Sequence, residues 1–75
     1  MMRTLTLSEL ADLLERSADQ ATLQNFGEMR RMLRRRLSVE GIDHAPMWKA
    51  TLLDFQEGCR QLATQLRAEA AQLAT

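Results

Sequence analysis

From Trp48 to Leu73 the apolar residues recur in steps of three and four: Trp48, Leu52, Phe55, Cys59, Leu62, Leu66, Ala70 and Leu73. At about 100° of turn per residue they fall on one narrow stripe of a helix. Lys49, Glu57, Gln61, Thr64 and Gln65 take the opposite flank. A stripe of this kind is the seam of a helix that packs lengthwise on another helix. The remainder of the chain therefore has to cover that seam.

The 75 residues suffice for one domain, residues 1–75, with a core so small that oligomerisation or a partner is a common supplement. Leu, Ala, Arg, Glu and Gln dominate, and all favour helix. Three glycines and one proline are too few for a turn-rich β fold. Ten basic and ten acidic side chains cancel, so no global charge directs the chain to nucleic acid or membrane. No stretch approaches the roughly 18 apolar residues of a membrane span. Acids interrupt the opening MMRTLTLSELADLL where a signal peptide needs an unbroken apolar run, which places the chain in a reducing cytoplasm.

Met1 to Leu5 reads as a frayed tail. Thr6 stands three residues before Glu9, a capping-box pattern that starts a helix near Leu7. Glu9 and Asp12 then suit the positive end of the helix dipole. Leu7, Leu10, Leu14, Ala18 and Ala21 share one face, and Leu23, Phe26, Met29, Leu33 and Leu37 share another, rotated by roughly a third of a turn. With no Gly or Pro before Gly27, the spacing predicts one continuous helix whose halves face different neighbours, in preference to a kink at residues 17–22 with Ser17 and Gln20 as a second capping box. The run from Arg30 to Arg36 (RRMLRRR) places cations at a helix C-terminus, where they complement the dipole. Arg30 and Arg34 occupy one flank, Arg31 and Arg35 another, and no aromatic interleaves for base stacking, which argues against nucleic acid.

Residues 38–46 (SVEGIDHAP) form the clearest turn. Gly41 suits the left-handed C′ position, Asp43 an N-cap, and Pro46 the first turn of a helix starting between Asp43 and Met47. The resulting architecture is all-α: an antiparallel helical hairpin with an N-terminal helical segment, two to three helices in all. In this hairpin Leu37 faces Trp48, Leu33 faces Leu52, Phe26 faces Cys59 and Leu23 faces Leu62. The expected core is Phe26, Leu33, Leu37, Leu52, Phe55, Cys59, Leu62 and Leu66. Gly27 and Gly58 fall level, as at a close approach of two helices.

The seam leaves apolar residues over. Met47, Ala50, Leu53, Ala68 and Ala71 lie along a second side of the last helix, with Leu7, Leu10 and Leu14 on the first segment. These are the expected partner-binding residues, since surplus apolar surface marks a contact. A symmetric homodimer closes such a patch when the chain is alone. Catalytic, cofactor and metal sites are not expected. Cys59 and His44 are single residues on different elements, the acids are scattered, and no Gly-rich phosphate loop occurs.

The opening RTLTLSELADLLERS and the stretch DHAPMWKATLLDFQEGCRQLATQL, with its proline, aromatic, leucine pair and amphipathic continuation, resemble a known family. These are the small co-chaperones of the bacterial type III secretion needle subunit, the YscE, SsaE and EscE-like proteins. The resemblance runs along nearly the whole chain and rests on helix-hairpin features. It implies a cytoplasmic scaffold that binds and stabilises a larger tetratricopeptide-like chaperone, which in turn holds the needle subunit back from premature polymerisation. The Arg30–Arg36 run is more basic than that pattern. Two alternatives remain beside it: a homodimeric helical regulator binding nucleic acid through Arg30–Arg36, and a small phage-type inhibitor of a host protein.

Overall fold

A computed structural model describes residues 5–42 and 51–74, and these form three helices with no strand among them. Helix α1 spans Leu7–Gln20, α2 spans Phe26–Val39 and α3 spans Leu52–Leu73. The first begins where the sequence predicts. The Thr6 hydroxyl accepts from the Glu9 backbone N–H at 3.1 Å, and the Glu9 carboxylate accepts from the Thr6 N–H at 3.0 Å. This completes the capping box and satisfies two of the donors that a helix start leaves open.

The helix does not run on to Gly27. It stops at Gln20, and Ala21 is extended at φ −68° and ψ 136°. Asn25 stabilises the break. Its Oδ1 accepts from the Thr22 N–H at 2.7 Å, its own N–H donates to the Thr22 hydroxyl at 3.2 Å, and its Nδ2 donates to the Gln20 carbonyl at 3.2 Å. One amide side chain thus ties the end of α1 to the turn that leads into α2. Ser17 caps nothing, because its hydroxyl donates to the Leu13 carbonyl within the same helix at 2.8 Å.

The end of α2 follows the glycine rule. Ile42 N–H donates to the Leu37 carbonyl at 2.8 Å and Gly41 N–H to the Ser38 carbonyl at 3.1 Å, with Gly41 at φ +75°. This is the Schellman arrangement, and Ile42 packs on the core that holds Leu37. The Glu40 carboxylate also accepts from the Leu5 N–H at 3.2 Å. The exit of α2 therefore lies beside the start of α1, and the two helices run antiparallel. Leu5 is half-buried there, not frayed.

The last described helix begins later than residues 43–47. Thr51 is extended and its hydroxyl accepts from the Asp54 N–H at 3.0 Å, so α3 opens at Leu52. Asp43, His44, Pro46, Met47, Trp48 and Ala50 lie outside the described residues.

The close lengthwise pair of this hairpin fold is α1 with α3, and α2 lies against α3 far more loosely. The Gln56 amide donates to the Ala18 carbonyl at 3.0 Å, Arg60 pairs with Asp19 at 3.2 Å, and Arg67 reaches Glu15 and Asp12 at 2.7 Å each. From Gln56 and Arg60 to Arg67 along α3 the partners pass from Ala18 and Asp19 back to Glu15 and Asp12 on α1, so the two helices are antiparallel. Small side chains allow the approach: Ala11 and Ala18 on α1, Gly58, Cys59 and Ala63 on α3, all buried. The expected facing of α2 on α3 is corrected at two points. Leu23 is 80% exposed and does not face Leu62, and nothing stands within 4 Å of a Cβ placed on Gly27, so no close approach is made there.

The core joins Leu10, Ala11, Leu14, Ala18 and Ala21 to Leu33 and Leu37, and to Phe55, Cys59, Leu62, Ala63 and Leu66. Six of the eight expected core residues are buried, while Phe26 and Leu52 are half-buried at its edge.

Candidate interaction surface

Leu10 and Leu14 are almost completely buried inside the chain, at 1% and 0% exposure, so they offer nothing to a partner in the folded monomer. Their expected place on the contact surface is corrected by the α1–α3 pairing, which buries these leucines in the core against the α3 seam, while the second side of α3 stays uncovered. Leu7 is half-buried against the same core. On α3 the outer side stays open: Leu53 is 62% exposed, and Ala68 and Ala71 are exposed. Met47 and Ala50, expected on that side, lie outside the described residues. At about 100° per residue Leu53 and Ala71 share one direction on the helix, with Ala68 beside them. They are separated by the polar Glu57 and Thr64, so this side carries one large apolar anchor and two small contacts.

A second surface lies beyond those expected from the sequence. Between α1 and α2 runs an open groove of about 1020 Å³. Leu13 and Met29, both half-buried, form its floor, and Met32 and Val39 stand 68% and 60% exposed along it. Arg31 and Arg35 are exposed at its edge, and no acid lines it among the described residues. The helical spacing of Met29, Met32, Arg36 and Val39 carried this signal, because those four share the α2 flank next to the Leu33 core position. It became visible only once α2 folded back along α1.

Charge is sorted by helix. Five of the arginines lie on α2 against Glu28 alone, whereas α1 carries Glu9, Asp12, Glu15 and Asp19 against Arg16. The acids at Asp12, Glu15 and Asp19 turn toward α3 and meet Arg67 and Arg60. The Arg67 guanidinium is held further protonated by its hydrogen bonds to Asp12 first and Glu15 second. Arg30 lies over the Phe26 ring, 5.9 Å from its centre, a cation–π contact at the head of α2.

The only thiol is inert in its setting. Cys59 is fully buried, and burial pushes its pKa from 9.0 up to about 12, opposed weakly by Arg60. A nucleophilic cysteine needs the reverse, an exposed thiolate beside positive charge. Among the described residues no three His, Cys, Asp or Glu side chains gather as they would around a metal ion, and no helix is long and apolar enough to cross a membrane. No known protein family matches the chain, and neither a curated protein nor a solved structure matches it.

Proposed function

We propose that this chain is a helical protein-interaction module. Its work is binding, not catalysis. The observation that carries this reading is the set of large apolar side chains left exposed on two helices, Leu53 and Leu73 on α3 and Met32 and Val39 on α2. Surface of this kind on so small a chain supports a contact with another folded protein.

In its concrete form the module is a cytoplasmic co-chaperone of type III secretion. It binds and stabilises a tetratricopeptide-like chaperone and, through it, holds the needle subunit before export. That form rests on the likeness of the Arg3–Ser17 opening and the Asp43–Leu66 stretch to the needle co-chaperones. The α3 outer side, Leu53 with Ala68 and Ala71, is its contact. When the chain is alone the same side closes by two-fold self-association. Co-expression with a tetratricopeptide-like needle chaperone, followed by size-exclusion chromatography, tests the reading. A stoichiometric complex that Leu53→Asp disrupts supports it. Separate elution at micromolar concentrations of both chains refutes the co-chaperone form.

A further inference from the structure

We propose that the groove between α1 and α2 binds an acidic amphipathic helix of a partner protein. The inference rests on the reading of the chain as an interaction module and names the chemistry of a second contact, distinct from the Leu53 side.

The groove has the parts that helix-in-groove recognition uses. Its length follows α2, and its floor of Leu13 and Met29 continues into Met32 and Val39. Apolar side chains of an incoming helix at i, i+3, i+4 and i+7 would lie on this floor. Two methionines suit such a floor, since the unbranched thioether adapts to the shape that enters. Charge selects the occupant. Arg31 and Arg35 stand exposed at the edge, and the groove lining contains no acid among the described residues. A helix with acids on its flanks meets complementary charge, and one with lysines meets repulsion.

A second copy of the chain is a poor source of that helix. Its acidic helix is α1, whose apolar face is buried as Leu10, Ala11, Leu14 and Ala18. Three of the four acids of α1 are already turned to Arg60 and Arg67. Presenting α1 in trans would require unfolding the copy. Nucleic acid fits less well than protein, because the exposed floor between the arginines is aliphatic and offers no ring for base stacking.

The probe is a fluorescein-labelled peptide of about 18 residues, with leucines at i, i+3, i+4 and i+7 and glutamates on both flanks. A twin peptide carries lysines in place of the glutamates. Anisotropy titrations with the full chain should give micromolar binding of the acidic peptide and about tenfold weaker binding of its twin, the gap narrowing as salt is raised. Met32→Asp should weaken the acidic peptide about tenfold while far-UV circular dichroism stays unchanged, since Met32 is not in the core. Arg31→Glu with Arg35→Glu should reverse the preference toward the lysine peptide. Leu53→Asp should leave peptide binding as it is.

No binding of the acidic peptide to the folded chain overturns the proposal, as does equal binding of the two peptides or indifference to Met32→Asp. A dimer that depends on Met32 and excludes the peptide gives the groove to a second copy instead. Displacement of the peptide by single-stranded RNA at physiological salt gives it to nucleic acid. If the peptide fails while a Leu53-dependent complex persists, the interaction-module reading stands and only the groove assignment falls.

Discussion

The rings of Phe26 and Phe55 lie 6.3 Å apart, centre to centre, inclined at 47°. This tilted pair joins the first turn of α2 to the first turn of α3, where the two helices otherwise meet loosely. Phe55 is fully buried and Phe26 only half. Phe55→Ala should cost about 3–5 kcal/mol, as for a core aromatic, and Phe26→Ala distinctly less. Urea denaturation followed by circular dichroism measures both. Equal losses would show that the two rings share one environment.

The two described glycines outside the core should respond to alanine with opposite signs. Gly41 stands at φ +75°, where an L side chain is strained, so Gly41→Ala should destabilise by about 1–2 kcal/mol. Gly27 is helical with nothing within 4 Å of an added Cβ. Gly27→Ala should therefore stabilise by up to about 1 kcal/mol. Thermal melts of the two variants against the wild type test the pair.

Cys59 gives the fold a pH dependence on the alkaline side. The unfolded thiol ionises near its ordinary value of 9.0, the folded one at about 12. Between these values the unfolded chain holds fewer protons than the folded chain, so stability is full below about pH 9 and falls as pH rises toward about 12. The chain has no tyrosine and one lysine, Lys49, so few other groups titrate in that window. The urea midpoint should decline above about pH 9 in the wild type and decline less in Cys59→Ala. At neutral pH a thiol reagent should react with the native chain far more slowly than with the unfolded one.

Leu53→Asp should leave helicity and melting temperature almost unchanged, because the side chain is 62% exposed. It should weaken self-association through the α3 outer side. Sedimentation velocity over a concentration range tests this. A species that stays monomeric in wild type and variant alike removes the α3 side as a self-contact.

Local signals in the sequence are legible where a single residue type enforces a geometry. Thr6 with Glu9 marks the start of α1, Gly41 the stop of α2, and the Phe55–Leu66 stripe the buried face of α3. The break after Gln20 is the less favoured of the two readings the sequence allows at residues 17–22, because it is made by the Asn25 side chain and no glycine or proline announces it. Thr22 and Asn25 at capping-box spacing were the available clue, with an amide in the place usually held by Glu or Gln. The identity of the helix opposite α3 was missed, since α1 and α2 both present apolar faces that match its stripe. Charge breaks that tie: Asp12, Glu15 and Asp19 match Arg60 and Arg67 only when α1 is the neighbour. Once α1 pairs with α3, Leu10 and Leu14 pass from the contact surface to the core, and the groove appears on the other side of α1.

The loose seating of α2 divides the chain's obligations. Folding rests mainly on the α1–α3 seam, where the alanines, the glycine and the cysteine are buried. Helix α2 is fastened by Leu33, Leu37, the Phe26 ring and the half-buried Met29, and most of its remaining positions are exposed. Substitutions at the exposed positions of α2 should cost the fold little. If the proposed groove is the contact, a change of partner needs alterations in that one helix, while the other two keep the fold intact.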